Sequence, residues 1–243
     1  FAVTEVVSGI EFPAVSNMET YAHFMPYQDR LEVDKRTDNF DFYKGKASFN
    51  GDLLMQPTGI TGGGIMTLDK AEVNSILFTY NASWFGADTA SLDVFEAGGG
   101  IAFKANNLRT YIDMAMREGI FHSNGSGSYV ELPANQYISY IDKLKWAMDE
   151  ELLTLGDEVA FSSKGSEFIS VHPYQDSLSF IATTATYSLK DYIIHANGVE
   201  EIAVADAIIY PDSGIITVEK KALIQTLYGA RILANDLTEY HIF

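Results

Sequence analysis

Apolar and polar residues alternate with a period of two along most of the chain. Ile112, Met114 and Met116 would share one face of a strand, whereas Asp113 and Arg117 would point to the other. The same period occurs at Leu144, Trp146 and Met148, at Leu178 and Phe180, at Ala185, Tyr187 and Leu189, and at Ile216 and Val218. The pattern predicts an all-β protein, an elongated β-roll or β-solenoid of stacked antiparallel strands.

Short turn-forming sequences separate these apolar runs. An Asn-Gly pair ends at each of Gly51, Gly125 and Gly198, and such pairs favour tight hairpin turns with positive φ at glycine. Two runs of three glycines, at residues 62–64 and 98–100, predict tight turns or bulges where two backbones approach closely.

The chain contains an internal repeat with an offset of 147 positions. Residues 26–51 and 173–198 align without a gap and share eight identities, from Pro26 and Pro173 to Gly51 and Gly198. Self-similarity at a fixed spacing is typical of architectures that stack one supersecondary unit. We expect both stretches to form the same strand–turn–strand element. The predicted organisation is a β-rich unit at 1–125 and a second at 126–243, or one continuous roll.

Two segments fit a helical period as well as a strand period. In residues 137–155 and 218–233, apolar residues also recur every three or four positions. We predict strands in both segments, because their neighbours are strands and Trp146 lies in a clean alternation.

Composition narrows the class of protein. The net charge of −17 argues against binding to nucleic acid and to anionic lipid surfaces, both of which select basic patches. Hydrophobic residues make up 47% of the chain, which is typical of a folded protein. The absence of cysteine fits an extracytoplasmic compartment. Since the chain starts and stops within apolar runs, we expect it to be a fragment or processed piece of a longer protein.

Motifs for catalysis, metals and cofactors are not recognisable. The five histidines are dispersed, without metal-ligand spacing. The glycine runs lack the Lys-Ser/Thr of phosphate loops, and Ser126 and Ser128 lack the context of a nucleophile elbow. Adjacent acids such as Glu200 and Glu201 would face opposite sides of a strand and could not share a substrate. The sequence therefore predicts a non-enzymatic protein without metal or cofactor.

Short acceptor sequences for glycosylation occur in several places. Asp88-Thr89-Ala90 and Asp176-Ser177-Leu178 fit the Asp-Ser/Thr-apolar pattern of bacterial O-glycosylation, which makes Thr89 and Ser177 candidate sites. Asn81 and Asn124 fit the N-glycosylation pattern. Both patterns agree with an extracytoplasmic location.

The last third of the chain resembles a known envelope family. Residues 177–187, the Asn197-Gly198 turn, and residues 204–207, 211–214 and 230–235 are similar to the OstA/LptA-type β-roll of lipopolysaccharide-transport proteins. Residues 62–68 and 87–90 resemble AsmA/TamB-like lipid-transfer proteins more weakly. The resemblance implies a β-roll with an apolar interior, no catalytic residues, and a place in the bacterial periplasm or at the outer membrane.

Three functional hypotheses follow. The first is a non-enzymatic envelope scaffold or bridge, with other envelope proteins, the rest of its parent chain or lipid as partners. Its apolar seam would be lined by Phe180, Tyr187, Ile194, Ile209 and Ile216. An open seam would favour lipid, and a filled one would favour a pure scaffold. The second is a carbohydrate-binding or adhesive module that uses exposed Tyr and Trp. The third is an enzyme whose acid pair comes from distant strands.

Overall fold

The protein is all-β. The computed structural model describes residues 1–3, 11–125, 127–156 and 165–234, and within them it contains 23 strands and two single-turn 3₁₀ helices, Pro26–Gln28 and Lys220–Ala222. The strands of the first half are β1 (Ala2–Val3), β2 (Val15–Ser16), β3 (Thr20–Met25), β4 (Arg30–Lys35), β5 (Phe40–Phe42), β6 (Ala47–Gln56), β7 (Gly59–Thr67), β8 (Ala71–Tyr80), β9 (Trp84–Phe95), β10 (Ile101–Asp113) and β11 (Glu118–Ser123). Those of the second half are β12 (Val130–Leu132), β13 (Tyr137–Tyr140), β14 (Lys143–Ala147), β15 (Leu152–Leu155), β16 (Ser166–Ser170), β17 (Ser179–Ala182), β18 (Thr184–Ser188), β19 (Ile193–Asn197), β20 (Ile202–Val204), β21 (Ala207–Tyr210), β22 (Ile215–Val218) and β23 (Arg231–Ala234).

The chain divides into two compact units. The first contains residues 1–100 and 106–124, and the second contains 101–105 and 125–243. The strand β10 contributes to both, because its first five residues belong to the second unit. Over the described residues, no helix is long and apolar enough to cross a membrane.

The second unit is an antiparallel β-roll. One ladder of strands runs β12–β13–β16–β17–β20–β21–β23, and the other runs β14–β15–β18–β19–β22. Successive pairs of strands alternate between the two ladders, so each ladder presents its alternating apolar residues to a shared core. The predicted all-β roll is confirmed.

An aromatic cluster forms the core of the first unit. The ring of Phe49 on β6 lies 5.7 Å from that of Phe42 and 5.6 Å from that of Tyr80, measured between centroids. The rings of Phe40 and Phe78 lie 6.4 Å and 6.2 Å from it. All five side chains are buried, and burying each stabilises the fold by about 1.5–3 kcal/mol.

Glycines allow three strands of this unit to approach closely. A bulge between Gly62 and Gly64 shifts the register of β7 against β8, as the sequence predicted for this run. The prediction for Gly51 was wrong, since this residue lies within β6 and is not among the residues with positive φ. A Cβ on Gly51 would lie 2.2 Å from the backbone oxygen of Gly63. Glycine is needed there for backbone proximity and not for a turn.

The two repeated windows have the same order of elements. In the first, a turn precedes β4, β5 and β6, and in the second a turn precedes β17, β18 and β19. Asp29 and Asp176, at equivalent positions in those turns, both have left-handed φ of 48° and 44°. The windows differ where β6 continues through Gly51, because a turn at Gly198 separates β19 from β20. The identical Asn-Gly pairs therefore adopt different local structures.

The two ambiguous segments have different outcomes. Residues 137–155 contain β13, β14 and β15, so the strand prediction is confirmed there. Residues 218–233 do not form continuous strand, and the strand prediction was wrong between Glu219 and Ala230. A 3₁₀ turn at Lys220–Ala222 and an isolated bridge of Ile224 to Val218 lie between β22 and β23. Gly229 has a φ of +71°, which ends any regular element before β23.

Gly125 and Gly198 form a matched pair of turn glycines. Both have positive φ, of 93° and 69°, as predicted. A Cβ on Gly198 would lie 2.3 Å from Thr183 Oγ1, whereas a Cβ on Gly125 would meet nothing within 4 Å. We expect Gly198→Val to lower the free energy of unfolding by about 2–4 kcal/mol, through left-handed strain and overpacking. Gly125→Val should cost only the strain, about 1 kcal/mol. Equal urea midpoints for the two variants would contradict this.

Candidate functional site

The seam residues predicted from the sequence lie in the interior of the second unit. Phe180, Tyr187, Ile194 and Ile216 are at most 3% exposed, and Ile209 is half-buried. The Phe180 ring stacks on Phe168 with centroids 5.1 Å apart, and the Tyr187 hydroxyl donates to Ala102 O at 3.1 Å. Four of the five side chains thus fill the core, and Phe180 also borders a cleft of this unit.

An open groove lies instead on the first unit. It has a volume of about 660 Å³ and crosses β8, β9, β10 and β11 on the face opposite the aromatic core. Side chains from these four strands line it, including Leu77, Trp84, Arg109, Tyr111 and His122. Its size falls in the range of small-molecule and oligosaccharide sites.

A break in strand pairing opens one wall of the groove. The register of β8 with β9 covers residues 71–74 and resumes at Thr79. Between them, the Ser75 hydroxyl donates to Thr89 O at 2.7 Å and accepts from the Leu77 N–H at 3.1 Å. Ile76 and Leu77 are consequently both turned out, at 91% and 57% exposure. Bulges of this kind commonly redirect side chains beside functional sites.

Gly86 keeps the floor of the groove low. It lines the groove on β9 between Trp84 and Asp88, and a Cβ there would lie 2.7 Å from the backbone oxygen of Thr110. Since any side chain at this position would press on β10, only glycine leaves room for a ligand beside the Trp84 ring.

An aromatic pair forms the platform of the groove. The rings of Trp84 on β9 and Tyr111 on β10 have centroids 5.2 Å apart and are tilted by 34°. Tyr111 is 40% exposed. Partial desolvation and, to a smaller extent, the negative charge of Asp113 raise the pKa of its hydroxyl, which can donate a hydrogen bond at neutral pH as any tyrosine does.

Polar groups surround this platform. Arg109 and His122 are register partners on β10 and β11, and Asp88 and Thr89 on β9 also line the groove. No carboxylate of the described residues lies within 4 Å of the exposed Arg109 guanidinium. The groove therefore combines an apolar surface with donors, an acceptor and an available cation, which suits a polyhydroxylated ligand that carries negative charge.

The two predicted O-glycosylation residues are both exposed. Thr89 lies on the wall of the groove, and Ser177 lies in the turn before β17 with a φ of 55°. Asn124 is exposed, and its Nδ2 donates to Asp88 O at 2.8 Å. A glycan on Thr89 would occupy part of the groove.

A second, acidic cleft lies on the other unit. Its volume is about 510 Å³, and Glu167, Glu200 and Glu201 line it. The prediction that Glu200 and Glu201 face opposite sides of a strand was wrong, because they lie in the loop between β19 and β20 and border the same cleft. Among the described residues, no group of three or more His, Asp or Glu side chains is placed to hold a metal.

Among the residues that line the groove, the sequence singled out only Thr89, and it did so as a glycosylation site and not as part of a binding site. A pattern that indicates the groove is nevertheless present in β10. There Leu108, Thr110 and Ile112 are buried, whereas Arg109 and Tyr111 point outward. An Arg and a Tyr on one exposed face, near a Trp on the preceding strand, are an unusual surface for a solvated strand.

Comparisons with known proteins give no relatives. No family model, no curated protein and no solved structure matches this chain.

Proposed function

We propose that this chain is a non-enzymatic β module that binds saccharide in the groove of its first unit. The observation that carries the proposal is the Trp84–Tyr111 pair, in which a half-buried Trp84 and an exposed Tyr111 lie in a concave surface flanked by hydrogen-bonding side chains. Sugar rings present an apolar face of C–H groups and an edge of hydroxyls. An aromatic platform with polar groups at its rim complements both.

The filled interior of the second unit supports a scaffold role for the rest of the chain. Phe180, Tyr187, Ile194 and Ile216 pack against neighbouring side chains, which suits a rigid support better than a conduit for lipid chains. A cysteine-free, acidic all-β chain that holds a saccharide site fits the extracytoplasmic bacterial envelope, where such ligands are abundant.

The groove proposal predicts which side chains control binding. In calorimetric titrations with a panel of neutral and uronic-acid hexasaccharides, Trp84→Ala should weaken binding at least about fivefold, since a ring contact is worth about 1 kcal/mol or more. Tyr111→Phe should retain most of the affinity because it keeps the ring. Tyr174→Ala is the matched control, since Tyr174 is 90% exposed and lies in the other unit. An equal loss in Tyr174→Ala would contradict a site at Trp84.

The same titrations test the absence of catalysis. Incubated hexasaccharides should be recovered at full length. Cleavage that disappears in Glu167→Gln or Glu200→Gln would identify the acidic cleft as an active site and would contradict the non-enzymatic part of the proposal.

A further inference from the structure

Over the described residues, the strand β3 has one unpaired edge, and this edge lacks the usual protection. Within the described residues β4 is its only partner in the sheet. Its six residues include no Asp, Glu, Lys, Arg or Pro, although native edge strands are commonly protected by charge, proline or short length. Two other edges are better protected, since β1 has two residues and β23 begins with Arg231.

The alternation of backbone groups shows which residues face this edge. The Arg36 N–H donates to Glu19 O at 3.0 Å, immediately before β3 begins. Because the N–H and C=O of one residue point the same way and alternate along a strand, Tyr21, His23 and Met25 face β4. Thr20, Ala22 and Phe24 then present their N–H and C=O groups to the open edge.

The equivalent hairpin in the second unit has this edge covered. β16 and β17 correspond to β3 and β4 at the offset of the internal repeat, and each hairpin is antiparallel. β16 also pairs on its other side with β13, from Tyr137 opposite Ser170 to Tyr140 opposite Glu167. The described part of the chain provides no such strand beside β3. In the second unit the position is occupied by an antiparallel strand of the same chain, which carries the exposed Tyr140.

We infer that β3 pairs with β3 of a second copy of this chain, antiparallel and about a two-fold axis. The strand is suited to self-pairing because it brings no like charges together, and its side chains Tyr21 and Phe24 are 61% and 62% exposed. A two-fold arrangement closes on itself, whereas β3 against another edge of a second copy would continue into filaments. The inference is independent of the groove, which lies on other strands.

Ala22→Pro tests this pairing without disturbing the hairpin. Proline removes the outward N–H of Ala22 and leaves the hydrogen bonds between β3 and β4 in place, as edge strands tolerate. Ala22→Thr is the matched control, because it keeps the N–H and favours a strand. Circular dichroism should show the same fold in all three proteins. In sedimentation equilibrium the wild type and Ala22→Thr should dimerise. Ala22→Pro should dimerise about thirty-fold more weakly, since one hydrogen bond is lost from each strand.

Three results would overturn the inference. A wild-type protein that stays monomeric at high micromolar concentration would show that the edge takes no second copy. A dimer of unchanged affinity in Ala22→Pro would place the interface elsewhere. Filaments in place of a dimer would show head-to-tail association.

Discussion

Phe49→Ala should lower the free energy of unfolding by about 3–5 kcal/mol, the cost of removing a large buried aromatic side chain. Phe49 is fully buried on β6, and four aromatic rings lie within 6.4 Å of its own. The loss combines the transfer free energy of the ring with the cavity that rigid neighbours cannot fill. Since native domains are stable by only about 5–15 kcal/mol, much of the stability of the first unit depends on this ring.

Urea denaturation checks the prediction with two comparison variants. Tyr27→Ala, at a fully exposed position of the same unit, should leave the midpoint nearly unchanged. Phe49→Leu should cost less than Phe49→Ala, because it retains most of the volume. A Phe49→Ala protein as stable as Tyr27→Ala would show that the aromatic cluster is not the core of this unit.

Alkaline pH should unfold the protein steeply. Burial raises the pKa of Tyr43, Tyr80 and Tyr137 well above the ordinary value of about 10. Below pH 10 both folded and unfolded states hold these protons, so the stability does not depend on them. Above pH 10 the unfolded chain releases them and the folded chain does not. The free energy of unfolding then falls by about 4 kcal/mol per pH unit for the three together.

Tyr80→Phe separates this effect from general alkaline damage. The Tyr80 hydroxyl is buried and has no hydrogen-bond partner among the described residues, so the variant should be at least as stable as wild type at pH 7. Its stability should fall about one third less steeply above pH 10. Tyr174→Phe, at an exposed position, should follow the wild type. The same slope in all three proteins would contradict a role for buried tyrosines.

The strands that cover a core were predictable because one face of each is buried. Along β18 and β19, alternation of apolar and polar residues follows directly from a sheet that covers a core. The prediction fails at residues whose local structure is set by backbone contacts with another strand. Gly51 and Gly198 have the same Asn-Gly sequence, but Gly51 faces Gly63 on a paired strand, whereas Gly198 has no such partner and turns. Local sequence cannot distinguish these cases, since the difference lies in a neighbouring strand.

The residues that form the groove could not be predicted together from the sequence, for a similar reason. Trp84, Arg109 and His122 come from three strands, and only the register of those strands brings them to one face. The acidic cleft shows the same limit, because Glu200 and Glu201 converge only once the chain leaves β19 at Gly198. Periodicity predicts the face of a residue but not its neighbours across the sheet.

The most direct test of the groove uses the two tryptophans of the chain as reporters. Trp84 lies in the groove, and Trp146 is 4% exposed in the second unit. Titration of the neutral and uronic-acid hexasaccharides into Trp146→Phe, where Trp84 is the only tryptophan, should shift the fluorescence emission to shorter wavelength for at least one sugar. The same sugar should leave the emission of Trp84→Phe unchanged. A shift that persists in Trp84→Phe, or no shift with any member of the panel, would contradict saccharide binding at this site.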